Sequence, residues 1–366
     1  MSVLIKRRTV LRATAALLGA VALPSIGRTQ TLERVRFLTS IKNMDESYAP
    51  AIIAKHVGFF REEGLDVELL PVGGSNEVAL QISAGNGDIG AASPGQAIVG
   101  MQPHLDLAVR YFYNMLYSSI WLISVPVESP IKTLADLRGK KLGVTAMGTA
   151  GITFGSAFVK AAGLNPATDI TFLAVGGGAQ AMTAVRQGMV DGLMFWDTAV
   201  AKFEANGLHL RNLSLPPQVT GLPDVSMLAQ PATLQKRPRM AVGMGRSLAK
   251  AYDFCMANPE AAVRIVWKNY PESRPAGLTT DQALSGTVNA MMARLNIWDD
   301  PRTNNQHGLF LESSWKSLVT FLQTQNVLTQ AVPIERIYTN EFIAEINRYD
   351  RAAVIAAAKS YDSQLN

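Results

Sequence analysis

The sequence predicts an α/β protein of two similar lobes, each a mostly parallel sheet flanked by helices. Three observations carry this. The chain has 366 residues, 48% of them hydrophobic and 17% charged, which is enough for a core larger than one ordinary domain. Short β-branched runs alternate with helical patterns, the signature of parallel strands joined by helical crossovers. A strand, glycine turn, helix, glycine, aspartate, strand unit also occurs twice in series.

In the first copy Val72-Gly73-Gly74-Ser75 is followed by Gly85-Asn86-Gly87-Asp88; in the second, Val175-Gly176-Gly177-Gly178 is followed at the same distance by Gly188-Met189-Val190-Asp191. The pattern predicts strands over 67–72 and 170–175, helices over 75–84 and 179–187, and second strands over 89–92 and 192–195. Gly85 and Gly188 stand where a helix ends in a residue of positive φ. In open α/β sheets, ligands bind beyond the carboxyl ends of the strands, where the glycine turns at Gly74-Ser75 and Gly177 lie. Those turns serve either a tight bend alone or the lining of a cleft. They are not nucleotide fingerprints, because neither G-x-G-x-x-G nor G-x-x-x-x-G-K-[ST] is present.

The N-terminus reads differently. Lys6, Arg7, Arg8 and Arg12 precede an apolar run over 13–23, too short to span a bilayer. Arg7-Arg8 followed by Thr9-Val10-Leu11 has the form of a twin-arginine export signal; an ordinary secretory signal with a chance arginine pair is the alternative. Cleavage fits after Ala20-Val21-Ala22 or after Ser25-Ile26-Gly27. The formal net charge is +5, and the five basic residues Lys6, Arg7, Arg8, Arg12 and Arg28 account for all of it. A mature chain of zero net charge carries no nucleic-acid footprint. The single Cys255 excludes an internal disulfide and a multi-cysteine metal site, and it lies too far from the signal to carry a lipid anchor. Its helical context marks it as a small buried hydrophobe. The expected product is secreted and free in the periplasm.

Three stretches resemble a known family. These are Ala54-Lys55-His56-Val57-Gly58-Phe59-Phe60 with Glu63-Gly64-Leu65, Thr133-Leu134-Ala135-Asp136-Leu137-Arg138-Gly139-Lys140, and Ala161-Ala162-Gly163-Leu164 with Gln187-Gly188-Met189-Val190-Asp191-Gly192. They are similar to the periplasmic binding proteins of ABC importers, in the branch that handles nitrate, sulfonates, taurine and thiamine-precursor pyrimidines. The resemblance implies a type II-like clamshell. Lobe one would hold residues 31–118 and 224–366, lobe two residues 124–221, with residues 1–30 the cleaved signal. Crossing strands near 119–125 and 225–229 would form the hinge, and helices over 237–270, 281–295 and 308–325 would pack back on lobe one. It implies a monomer that binds a small molecule, needs no cofactor and docks on a membrane permease.

The candidate ligand residues follow the predicted strands. In lobe one they are Ser40, Lys42, Asn43 and Met44; Gly74 and Ser75; Ser93 and Gln96; and Tyr113 and Asn114. In lobe two they are Gly148 and Thr149, Gly177, and Trp196 and Asp197. Ser75 and Ser93 also fit helix N-caps, and Asp197 fits either a cap or an acceptor for a ligand N–H. Lys42 fits an acidic ligand or a solvated surface. Tyr113 and Trp196 fit ring stacking or core packing. Met44, Met115, Met147 and Trp196 together suggest an organic ligand with an apolar or aromatic body and a polar or anionic head. Two other functions keep a place. One is a sensor that docks on a membrane receptor. The other is a pyrimidine-synthesis-like enzyme, which lacks its cysteine-rich motif here, while His56, His104, His209 and His307 have no ligand spacing.

Overall fold

A computed structural model describes residues 31–362 except 217, 218 and 220. The expected export signal lies outside the described residues. Ten strands form two sheets: β1 (Glu33–Thr39), β2 (Leu65–Pro71), β3 (Ile89–Ala92), β4 (Arg110–Asn114), β5 (Trp121–Pro126), β6 (Lys140–Val144), β7 (Ile170–Ala174), β8 (Gly192–Trp196), β9 (Leu210–Asn212) and β10 (Ser226–Ala229). The first sheet has the order β2-β1-β3-β10-β4 and the second β7-β6-β8-β5-β9. In each sheet the fourth strand in this order, β10 or β5, runs antiparallel to its neighbours. The expected two-lobed α/β architecture with mostly parallel sheets is present.

The repeat is visible atom by atom. Asp88 N–H donates to the Arg36 carbonyl, and Asp88 Oδ2 accepts from Arg36 N–H at 2.8 Å. Asp191 and Lys141 make the same reciprocal pair, also at 2.8 Å. The aspartate before each second strand thus fixes that strand to its parallel neighbour. Gly85 and Gly188 adopt φ of 80° and 67°, and the next residue closes a six-residue turn onto the helix (Asn86 N–H to Gln81 O, Met189 N–H to Ala184 O).

Each lobe borrows the strand that completes it. The chain leaves the first sheet after Asn114, enters the second at Trp121, leaves it after Asn212 and returns at Ser226. The residues expected to cross, 119–125 and 225–229, mostly belong to β5 and β10. The crossing stretches are instead 115–120 and 213–225, and they pair with each other: Leu116 N–H donates to Val225 O, and Asp224 N–H to Leu116 O. Each borrowed strand is held on both sides by sheet hydrogen bonds.

The C-terminal helices are Pro238–Ala257, Pro259–Asn269, Thr280–Leu295 and Glu312–Thr324, and Pro238 and Pro259 open the first two. Pro238–Ala257 packs on the first lobe's opening helix, Ala49–Val57, as expected. Thr280–Leu295 differs: it packs on both Pro259–Asn269 and Asp197–Ala205, a helix of the second lobe. The tail therefore spans the two lobes. One continuous apolar core includes Phe37, Ile52 and Trp315 of the first lobe and Val144, Phe154 and Phe158 of the second. A smaller cluster around Phe195 and Phe203 fills the rest of lobe two.

Gly192 in β8 shows how tightly the borrowed strand is seated. A Cβ there would meet the Ser124 carbonyl oxygen at 2.8 Å and Val125 Cγ1 at 2.9 Å. Gly192→Ala is therefore expected to destabilise the protein by about 1–3 kcal/mol in urea unfolding, by forcing β5 away from β8.

Candidate functional site

The lobes meet along a seam built from the segments that follow β1, β2, β3, β6 and β8. Gly74 opens helix Ser75–Ser83 with φ 151°, and a Cβ there would stand 3.6 Å from the Gly148 carbonyl oxygen across the seam. Gln96, on helix Pro94–Gly100, donates from Nε2 to Thr153 Oγ1 at 2.5 Å. Thr153 lies in the first turn of helix Ala150–Ala161, whose N-cap Thr149 accepts from Gly151 N–H at 3.3 Å. Further along, Ser47 and Thr198 hydroxyls lie 2.7 Å apart, and Lys202 Nζ stands 2.8 Å from both Asp45 Oδ2 and Glu46 Oε1. On the tail side, Lys160 Nζ donates to the Gln325 carbonyl at 2.8 Å.

An ion pair closes the deepest part. Arg294, on the tail helix Thr280–Leu295, holds Asp197 in a fork, with Nη2 to Oδ1 at 2.5 Å and Nε to Oδ2 at 3.0 Å. Their side chains are only 5% and 14% exposed. Burial alone would lower the Arg294 pKa; the Asp197 carboxylate outweighs that and raises it. Next to the crossing, Asp224 is fully buried. It accepts from Ser93 Oγ in a very short hydrogen bond, from Ile120 N–H at 3.2 Å and from Ser119 Oγ at 3.4 Å. Burial pushes its carboxyl up to about 6, with the Ser93 and Ile120 hydrogen bonds opposing. Tyr48 hydroxyl lies 2.8 Å from Ser40 Oγ and accepts from Ser40 N–H at 3.1 Å, and burial raises its phenol above the ordinary range.

An aromatic wall stands on the second lobe. Trp121 stacks on Phe154 with centroids 6.2 Å apart and meets Trp196 edge-on at the same distance. Gly151 accommodates it: a Cβ there would lie 2.6 Å from Trp121 Cζ3. The Trp121 indole N–H is buried and has no hydrogen-bond partner among the described residues.

The predicted residues divide into three groups. Ser40, Gly74, Ser75, Ser93, Gln96, Gly148, Thr149, Trp196 and Asp197 gather at or beside the seam. Lys42, Asn43 and Gly177 are exposed, and nothing lies within 4 Å of a Cβ built on Gly177. Met44, Tyr113 and Asn114 are in the core, at 2%, 0% and 1% exposure. For Tyr113 and Asn114 the reason is the tail. Asn114 bridges to Gly308, Tyr111 bridges to Tyr338, and Gly308 leaves its Cβ space to the Tyr113 ring, so the end of β4 is roofed by C-terminal chain. Of the methionines, Met115 is buried and Met147 is 61% exposed. Ser93 stands at the N-cap of helix Pro94–Gly100, and Ser75 is the first residue of its helix, but neither caps a helix with its side chain. Ser75 Oγ accepts from Ser93 N–H at 3.0 Å, while Ser93 spends its hydroxyl on Asp224. Asp197 caps nothing beyond its neighbour Thr198 N–H, because the helix begins at Asp197 itself and its carboxylate goes to Arg294.

Sequence reasoning passed over Tyr48, Trp121, Thr153, Asp224 and Arg294. Arg294 carried no signal: in an amphipathic helix near its C-terminus an arginine reads as solvated. Trp121 and Asp224 carried one, since both flank the crossing stretches, but which face they take is set only when the lobes meet. Two open depressions, one near Arg34, Lys55 and Asp66 and one near Val175, Gln180 and Met189, lie away from the seam residues. Their lining shows no convergence of buried polar groups, so we place the site at the seam.

Residues 45–262 match the NMT1/THI5-like family, and the chain belongs to it. Solved structures share the fold. A protein from Bordetella bronchiseptica RB50 is 22% identical, with a TM-score of 0.65 over 86% of this chain and 96% of its own. The alkanesulfonate-binding protein SsuA from Xanthomonas axonopodis pv. citri, bound to MOPS, is 15% identical, with a TM-score of 0.64 over 84% and 98%. The periplasmic aliphatic sulphonate-binding protein SsuA from Escherichia coli is 17% identical, with a TM-score of 0.63 over 84% and 92%. The desulfurization enzyme DSZB has the same fold at a TM-score of 0.53, 14% identity, over 86% and 99%. No curated protein matches by sequence. No described helix is long and apolar enough to cross a membrane.

Arg294→Met leaves the Asp197 carboxylate without its partner. Keeping the seam shut over it would cost about 3–5 kcal/mol. The ligand-free variant is expected to open, with a larger radius of gyration in X-ray scattering than the unmodified protein. An unchanged radius and melting temperature would mean the pair contributes nothing to closure.

Proposed function

We propose that this chain is the extracytoplasmic solute-binding component of an ABC import system and captures a small organic molecule between its lobes. The observation that carries this is the seam. Two sheets joined by a paired crossing turn their strand-end segments toward each other, over hydroxyls, amides and an aromatic wall. Closure of such lobes about a hinge is an established mode of ligand capture. We take residues 31–118 with 224–366 as one lobe and 124–221 as the other, flexing at the 115–120 and 213–225 stretches. Residues 1–30 are read as an export signal that places the mature chain in the periplasm as a monomer, where its partner is a membrane permease.

The seam favours an organic ligand. Met44 and Met115 lie in the core, so the apolar side of the site falls to the half-buried Trp196, backed by the buried Trp121–Phe154 stack. Ser40, Gln96, Thr149, Thr153 and the unpartnered Trp121 N–H supply the polar side. A planar or aliphatic body against the indoles, with a sulfonate, carboxylate or pyrimidine head on the donors, satisfies both. MOPS, bound to the SsuA from Xanthomonas axonopodis pv. citri, is a sulfonate joined through an alkyl chain to a saturated ring and fits the same description. The reading is of a binder and not a catalyst. Although the fold also occurs in a desulfurization enzyme, Cys255 sits fully buried in helix Pro238–Ala257, and burial pushes its thiol far above the ordinary range.

Ligand released from native protein and identified by mass spectrometry, followed by calorimetry, tests the proposal. Sulfonates, organic acids or pyrimidines are expected to raise the melting temperature, and Trp196→Ala and Gln96→Ala to weaken the best of them by about 1–3 kcal/mol each. Stabilisation by inorganic anions alone would overturn the organic-ligand reading, and no binding across the panel would overturn solute capture.

A further inference from the structure

Beside the seam, Asp45, Glu46 and Lys202 form a cluster whose charges do not balance. Asp45 and Glu46 belong to the segment after β1 in the first lobe; Lys202 belongs to helix Asp197–Ala205 in the second. One ammonium stands 2.8 Å from an oxygen of each carboxylate. Glu46 is completely buried; Lys202 approaches its Oε1 in poor hydrogen-bond geometry, and its Oε2 has no partner among the described residues. Asp45 is better served, by Lys202 Nζ and by Ser47 N–H at 2.9 Å.

Among the described residues no other charge faces Glu46 to compensate. The helix that follows, Ala49–Val57, carries Lys55 and His56 in its last turn. Of the tail helix Thr280–Leu295, which packs on this turn, Arg294 is committed to Asp197 and Asp281 lies in the opposite, first turn. Helix Asp197–Ala205 supplies Lys202 and the already paired Asp197. With both acids ionised, the closed seam would bury one uncompensated negative charge. With one proton added, it is neutral.

We propose that the Asp45–Glu46–Lys202 cluster is a proton-operated latch: the ligand-free lobes close when Glu46 takes up a proton and open when it gives one up. The inference rests on the hinged two-lobe reading and does not require any particular solute. Its sign follows from linkage. Opening returns Glu46 to water and its ordinary value of 4.5. In the closed seam burial, then the Asp45 charge, push it up to about 7 against the pull of Lys202. Closing therefore takes up a proton between those values and is favoured as pH falls through that window. Asp45 is held below its ordinary 3.8, mainly by Lys202 against burial, and Lys202 is raised, mainly by Asp45 and then Glu46 against burial, so both titrate outside the window. The closing equilibrium should weaken on the order of tens of times between pH 5 and pH 8.

X-ray scattering of the full-length, ligand-free protein at pH 5.5 and 8.5 tests this. The unmodified protein is expected to be compact at pH 5.5 and expanded at pH 8.5. Glu46→Gln, neutral at every pH, is expected to stay compact at both. Asp45→Asn leaves one carboxylate for one ammonium and is expected to stay compact at pH 8.5 as well. It disturbs no fully buried group, so it carries the test if Glu46→Gln fails to fold by circular dichroism. A radius that does not change with pH in the unmodified protein overturns the latch. So does a variant that keeps the unmodified pH response. A chain that changes size with pH yet binds no solute would refute solute capture and leave the latch standing.

Discussion

The two sheets are joined by a pair of chain stretches, and those stretches hydrogen-bond to each other at Leu116. Most of the site depends on that constraint. Because the crossings run side by side, the two sheets are joined along one narrow line. Asp224 sits on this line and is tied through Ser93 to the start of helix Pro94–Gly100 and through Ile120 N–H to the start of lobe two. A buried carboxylate with three donors is a stiff joint, and it fixes where the seam residues meet.

What meets at the seam is mixed in character. The apolar core continues through it, while Gln96, Thr153, Ser47 and Thr198 exchange hydrogen bonds that water could replace. Such contacts specify the closed geometry without making it irreversible. The buried ion pair works the same way. Arg294 and Asp197 satisfy each other in the seam, so the net contribution of the pair is small beside the cost of removing one partner.

Much of this was legible in the residues. The duplicated unit gave the succession of strand, turn, helix and strand in each lobe, because Gly85 and Gly188 end their helices by a local rule; the hold of Asp88 and Asp191 on the neighbouring strand reaches about fifty residues back and shows only in the fold. Ser40, Gly74, Gln96, Gly148, Thr149 and Trp196 were reachable as seam residues because strand ends share one edge in any open α/β sheet. Tyr113 and Asn114 follow the same rule and were misplaced by it. The end of β4 is covered by residues 308 and 338, about two hundred positions further along the chain, and no local pattern encodes that roof. Arg294 was missed for the converse reason: its partner comes from the other lobe, and its sequence surroundings are those of a surface helix.

The interleaving of strands bears on how the chain is made. β10 lies between β3 and β4, so the first sheet stays split until residues 226–229 emerge from the ribosome, after the whole second sheet. The tail helix that steadies the second sheet emerges later still. Contacts of such long sequence separation form slowly. During synthesis the nascent chain therefore has no finished lobe to commit to, and its native state is reached only once nearly the full length is available.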